Sequence, residues 1–101
     1  MARPTPFATQ MAATEIGEHL RTWRLMLHLT AQQVAERAGT TRATLGRLER
    51  GETSVGFDVV LNVAQALGVL DSIVTATDPY ETPLGRARAD QRLPQRVRRP
   101  S

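Results

Sequence analysis

The sequence predicts an all-α fold, and three observations carry that prediction. Apolar residues recur at spacings of three and four, glycines close several short apolar segments, and no stretch alternates apolar and polar residues as a half-buried strand would. The chain has 101 residues and no cysteine, so disulfides and thiolate zinc sites are excluded. A helical core, or a partner chain, must therefore stabilise what is predicted to be one small domain.

The first helix is predicted to begin near Thr14. Residues 1–13 contain two prolines and no sustained period, which indicates a flexible arm before the helix. The apolar residues of this helix, which share one face, are Ile16, Leu20, Trp23 and Leu27.

Two short helices joined by a turn of about three residues are predicted next. Thr30 and Gln33 form a capping box, in which the threonine caps a backbone N–H and the glutamine reaches back to the threonine. Gly39 ends this second helix, because glycine favours the left-handed conformation of a helix C-terminus. Thr41 is a candidate N-cap for the third helix, which ends at Gly51.

The remaining apolar pattern predicts helices four and five over residues 57–67 and 69–74. Residues 78–101 form a basic tail that is predicted to be largely irregular, because it has too few apolar residues to bury. Residues 85–101 hold six arginines and one acid, whereas residues 1–84 hold seven arginines and nine acids. The predicted organisation is a flexible arm over 1–13, a helical domain over 14–77 and a tail over 78–101.

The two short helices have the sequence form of a helix-turn-helix. In that unit the second helix enters the DNA major groove and presents its N-terminal residues to base edges. The exposed positions of the third helix are short or basic and none is acidic: Thr41, Arg42, Ala43, Thr44, Gly46 and Arg47. A solvated helix face is the alternative interpretation of the same pattern.

Ordered motifs along residues 16–69 extend this prediction. They are Ile16-Gly17, Leu20-Arg21, Arg24, Leu29-Thr30, Val34-Ala35, Gly39, residues 41–45, residues 47–51 and Ala66-Leu67-Gly68-Val69. With these motifs the stretch resembles the Xre/Cro-type helix-turn-helix family, whose phage-repressor-like domain has five helices. The resemblance implies sequence-specific binding to double-stranded DNA at a palindromic operator.

The same resemblance assigns roles residue by residue. It implies base contacts for Arg42, Ala43 and Arg47. It implies phosphate contacts for Thr30, Gln32, Gln33, Thr41, Thr44 and Arg50. It also implies a structural ion pair between Arg24 and Glu49. The sequence departs from the family at Ala31, where a glutamine that contacts phosphate is usual, so Gln32 or Gln33 would have to supply that contact.

Repressor-type domains commonly act as symmetric pairs on two half-sites, so a homodimer is expected. The dimer or partner contacts are predicted at apolar positions of the loop, the last helix and the tail: Val55, Phe57, Leu70, Ile73, Val74, Leu93 and Val97. The segment from Asp78-Pro79 to Val97 resembles the extension of HipB-like antitoxins. That resemblance implies a HipA-type serine/threonine kinase toxin as partner, which the antitoxin neutralises while it represses its own operon.

Other functional classes find little support in the sequence. His19 and His28 lie nine residues apart, which does not place them on one metal ion, and no nucleophile or acid–base pair stands out. We therefore expect no enzyme, no metal and no cofactor, and a cytoplasmic protein without a membrane span. Two alternatives stay open: a stand-alone regulator without a toxin, and an interaction module that no longer binds DNA.

Overall fold

The computed structural model describes residues 3–92, and all regular structure within that range is helical. The elements are α1 (Phe7–Met26), α2 (Ala31–Ala38), α3 (Arg42–Glu49), α4 (Phe57–Leu67), α5 (Leu70–Ala76), a 3-10 turn (Pro79–Glu81) and α6 (Pro83–Arg92). The predicted all-α class is confirmed. The number of helices is larger than predicted, because α6 lies in the segment expected to be irregular.

The chain divides into two compact units, the first ending at Leu70 and the second beginning at Asp71. The core of the first unit is built by α1 to α4, and each of these helices contributes at least one buried apolar side chain. The core residues are Leu20, Val34, Ala38, Leu45, Leu48, Val63 and Leu67. Removal of this apolar surface from water is the main force that holds the four helices together.

Local signals fix the ends of α2 and α3. The side-chain oxygen of Thr30 accepts a hydrogen bond from the backbone N–H of Gln33, and the Gln33 side chain accepts one from the backbone N–H of Thr30. The predicted capping box is therefore present. Gly39 ends α2 with a φ of 68°, and the side chain of Thr41 caps α3 by accepting from the N–H of Thr44.

The N-terminal helix is longer than predicted. α1 begins at Phe7 with Pro6 at its N-cap, so most of the predicted arm is helical. The Gln10 side chain donates a hydrogen bond to the carbonyl oxygen of Gly51 at 3.0 Å, which ties the added turns to the loop after α3. The prediction of a flexible arm is wrong because a proline directly before a helix is compatible with that helix.

Residues 78–101 were predicted to be largely irregular, and the described part of this segment, residues 78–92, is instead ordered by local caps. Asp78 caps the 3-10 turn by accepting from the N–H of Tyr80, and Thr82 accepts from the N–H of Gly85 in the first turn of α6. A Cβ at Gly85 would overlap the carbonyl oxygen of Pro79, so only glycine allows this close packing. Two predicted partner contacts, Leu93 and Val97, lie outside the described residues.

Candidate nucleic-acid interface

The helix-turn-helix is formed by α2, the turn over residues 39–41 and α3. Val34, Ala35 and Ala38 of α2 are buried, as are Leu45 and Leu48 of α3. Ala35 has the small side chain predicted for the contact between the two helices, and only 1% of it is exposed. The buried side of α3 is thereby fixed, and the opposite side of the helix faces solvent.

The buried end of α3 is held by α1 at very short range. A Cβ at Gly17 would lie 2.5 Å from the carbonyl oxygen of Leu48 and 2.7 Å from that of Glu49. Any residue other than glycine would push the two helices apart. Gly17 therefore helps to set the position of α3, a role that the sequence did not reveal.

An ion pair supports the same junction. Arg24 on α1 donates from Nε and Nη2 to the two carboxylate oxygens of Glu49 on α3, at 2.8 and 3.1 Å. Nη1 of Arg24 also donates to the carbonyl oxygen of Leu29, so one guanidinium joins α1, the turn before α2 and the end of α3. The hydrogen bond to Glu49 raises the pKa of Arg24, although burial acts in the opposite direction. The guanidinium thus stays charged at any physiological pH.

The exposed side of α3 carries the residues expected to contact bases. Arg42 and Ala43 lie exposed in its first turn, and Arg47 lies half-buried one turn further on. The guanidinium of Arg50 lies across Gly46, since a Cβ there would be 3.2 Å from its Nη1. Three arginines and two small residues thus share this surface, which we call the α3 face: Arg42, Ala43, Gly46, Arg47 and Arg50.

Arg47 and Arg50 are already engaged within the protein. Nε of Arg47 donates to Oε1 of Glu52 at 3.1 Å, and its Nη2 donates to Oγ of Ser54 at 2.6 Å. Arg50 donates from Nη2 to the other oxygen of Glu52 at 3.4 Å. Sequence reasoning missed Glu52 and Ser54, because both lie in the loop after α3, where helical periodicity gives no signal.

The side chains expected to contact phosphate are all near α2 and α3, and most of them make local hydrogen bonds. Thr30 and Gln33 serve the capping box, Thr41 caps α3 and donates to the Thr44 hydroxyl, and Gln32 donates to Glu36 at 2.9 Å. Gln32 and Gln33 would therefore exchange an internal partner for phosphate to replace the glutamine that Ala31 lacks.

The apolar residues expected at a dimer or partner contact differ in exposure. In the first unit, Val55 packs against the core, whereas Phe57 is 74% exposed. An open groove of about 220 Å³ lies beside Val55, and its apolar lining includes Ile16, Leu48, Val55 and Val60. In the last helix of the predicted domain, Leu70 and Ile73 are half-buried and Val74 is exposed.

Within residues 3–92, no group of three or more histidine, aspartate or glutamate side chains could hold a metal ion. In the same part of the chain, no single helix is long and apolar enough to cross a membrane, although α4 and α5 together, as a bent pair, reach the required length and composition.

Comparison with known families agrees with this geometry. A family model described as a helix-turn-helix domain matches residues 15–75, which is more than half of the chain. Searches of curated proteins and of solved structures found no match. The matched range contains the capped α2, the turn and α3, together with the Arg24–Glu49 pair. The chain therefore belongs to the helix-turn-helix domain family, of the Xre/Cro-like kind, and is a DNA-binding regulator.

Proposed function

We propose that this protein is a transcriptional repressor that recognises a specific operator through the α3 face. The observation that carries the proposal is the contrast across α3: one side is fixed by the core and by Arg24–Glu49, and the other presents three arginines to solvent. A fixed helix with an exposed basic side satisfies the geometric requirement for binding in the major groove.

The base contacts belong to Arg42, Ala43 and Arg47. An arginine can donate two hydrogen bonds to O6 and N7 of guanine, and the methyl group of Ala43 suits the methyl group of thymine. Phosphate contacts are assigned to the capping residues and to Arg50: Thr30, Gln32, Gln33, Thr41, Thr44 and Arg50. Loss of a base contact relaxes specificity at one position, whereas loss of a phosphate contact weakens all binding alike.

The repressor acts as a homodimer on a palindromic operator in the cytoplasm. Phe57 supports this part of the proposal, because a phenylalanine that is 74% exposed gains stability when a second chain covers it. Val55, Leu70, Ile73 and Val74 are the other apolar positions proposed for contact with the second chain or a partner. Sedimentation equilibrium of the full chain and of a Phe57→Ser variant would test this. The variant dimer should have a higher dissociation constant and be monomeric at protein concentrations where the wild type is still dimeric.

Gel shift of the full chain on the DNA upstream of its own gene, at two salt concentrations, tests the proposed repressor. We expect a saturable shift that weakens at the higher salt, because arginine contacts to phosphate release counterions. The Arg42→Ala/Arg47→Ala double variant should lose the shift and keep its helical circular dichroism. A shift that survives this double change would show that the α3 face is not the binding surface.

We further propose an antitoxin role with a HipA-type kinase as partner. This role is supported by the HipB-like pattern of the C-terminal segment and by the exposed side chains of the second unit. None of residues 71–91 is buried, and Leu84 is 65% exposed near Arg86 and Arg88 on α6. A helix with exposed apolar and basic residues suits a protein partner with an acidic surface.

Co-expression tests the antitoxin role. If a kinase-like gene is co-transcribed with this one, its product should arrest growth alone and lose that effect when the full chain is present. Purification of a complex of the two proteins would support the role. Growth arrest that the full chain does not relieve would leave a stand-alone regulator. Absence of both a kinase partner and a DNA shift would leave an interaction module.

A further inference from the structure

The loop after α3 places an acid against the arginines of the α3 face. Glu52 contacts Arg47 through one carboxylate oxygen and Arg50 through the other. Ser54 accepts a second hydrogen bond from Arg47. An acidic side chain on a surface that meets phosphates opposes binding, so its presence needs a physical reason.

Folding stability does not supply that reason. The side chains of Arg47 and Glu52 are 37% and 44% exposed, and that of Arg50 is 65% exposed. Ion pairs with this much exposure are screened by solvent and contribute little to stability. The effect of Glu52 is therefore expected in binding rather than in folding.

The geometry of the Arg47 guanidinium indicates what that effect is. Its contacts to Glu52 and Ser54 both use the edge that carries Nε and Nη2. Two of the five N–H donors of the group are occupied, so three remain, and they include both donors of Nη1. The outer edge formed by Nη1 and Nη2 is thus available for the paired acceptors of a guanine while the inner edge is held.

Resting on the proposed operator recognition, we propose that Glu52 and Ser54 are positioning residues that hold Arg47 for one base and so raise sequence discrimination. A long side chain that is ordered before binding loses less rotamer entropy when it meets its base. The Glu52 carboxylate also competes with phosphate for Arg47 and Arg50, which weakens binding to unrelated DNA. Glu52 thus lowers affinity for DNA in general and increases the preference for the correct sequence.

The test measures this preference directly. The full-length wild-type protein is used to select a duplex from a library with a random stretch of about 30 base pairs, long enough for two half-sites one DNA turn apart. Dissociation constants are then measured for the selected duplex and for a scrambled duplex of equal composition, at two salt concentrations. The ratio of the two constants is the discrimination.

Two variants separate positioning from charge. Glu52→Gln should bind the scrambled duplex about 2- to 5-fold more tightly, with a steeper salt dependence, because one repulsive charge is removed. Its discrimination should fall about 3- to 10-fold, as expected when one long side chain must be ordered on binding. Ser54→Ala should also lower discrimination but leave the salt dependence unchanged, because a hydroxyl carries no charge.

Two controls complete the design. Glu18→Gln removes an exposed acid of α1, and its discrimination should equal that of the wild type. In an Arg47→Ala background, Glu52→Gln should no longer change the discrimination, because the side chain that it positions is gone. Thermal unfolding by circular dichroism should be nearly the same for the wild type, Glu52→Gln and Ser54→Ala.

The outcomes are distinct. Wild-type discrimination retained by both Glu52→Gln and Ser54→Ala would overturn the positioning role and leave the proposed repressor intact. A wild-type protein that selects no sequence from the library would overturn the proposed function together with the positioning role that depends on it.

Discussion

The two sides of α3 differ in the contacts that fix their residues. On the buried side, Leu45 and Leu48 pack in the core, and Glu49 is paired with Arg24. On the exposed side, Arg42 and Ala43 face solvent, and the contacts of Arg47 and Arg50 lead only to an exposed loop. The position of the helix and the chemistry of its exposed surface therefore depend on separate sets of residues.

Two arginine–glutamate ion pairs, one on each side of α3, show this difference between residues of the same type. The side chains of Arg24 and Glu49 are 11% and 9% exposed, whereas those of Arg47 and Glu52 are 37% and 44% exposed. Breaking a pair that is largely removed from water leaves an uncompensated charge, but breaking an exposed pair leaves a solvated one. The first pair should therefore control folding, and the second should affect binding.

The largest expected effect is the loss of the Arg24–Glu49 pair. Glu49→Ala should lower the free energy of unfolding by about 3 kcal/mol, because Arg24 would stay largely removed from water without its counterion. Glu52→Ala is the matched control and should change it by less than about 1 kcal/mol. Urea denaturation measures both. Equal losses in the two variants would show that exposure does not distinguish the pairs.

Two glycine-to-alanine substitutions, one at the contact between α1 and α3 and one on the exposed side of α3, should change the free energy of unfolding with opposite signs. Gly17→Ala should destabilise the protein by about 2 kcal/mol, because its Cβ would meet backbone atoms of α3. Gly46→Ala should stabilise it by about 0.5 to 1 kcal/mol through helix propensity, since the Arg50 side chain can move aside. Thermal unfolding followed by circular dichroism gives both signs, and stabilisation by Gly17→Ala would contradict the close packing of α1 on α3.

Substitutions of the arginines on the exposed side should change DNA binding and leave stability unaltered. Arg42→Ala and Arg47→Ala should each weaken operator binding by about 1 to 3 kcal/mol and relax selection at one base pair. Arg50→Ala should weaken binding to all sequences by a similar factor. Fluorescence anisotropy with operator variants distinguishes these patterns. Uniform weakening by all three variants would reassign Arg42 and Arg47 to phosphates.

The smallest expected effect lies away from both sides of α3. His28 follows α1 with a φ of 58°, a conformation that favours glycine. His28→Gly should therefore stabilise the protein by about 0.5 to 1 kcal/mol and leave DNA binding unchanged. Denaturation and anisotropy together check this, and a destabilised variant would indicate that the imidazole makes a contact of its own.

Local sequence signals predicted the part of the fold that surrounds the turn. The capping box at Thr30 and Gln33, and the glycine after α2, act within a few residues of themselves, so their pattern is visible in the sequence. The ends of the chain were less predictable. A hydrogen bond from the Gln10 side chain ties the added turns of α1 to Gly51, which lies 41 residues away in the sequence.

Dependence on tertiary structure also limited the prediction of the candidate site. The exposed positions of α3 follow from helical periodicity and from the family resemblance, so Arg42, Ala43 and Arg47 could be proposed at once. The contacts of Glu52 and Ser54 to Arg47 depend on how the loop folds back along the helix, and periodicity contains no such information. Gly17 was visible in a motif, but its role depends on the distance between two helices.

The α3 face of this protein is proposed to read DNA sequence. The most direct measurement is the ratio of the dissociation constants of the full chain for a selected duplex and a scrambled one at physiological salt. We predict a preference of about 1,000-fold or more for the selected duplex, in the range of specific DNA-binding proteins. Equal affinity for the two duplexes would show that the α3 face does not read sequence.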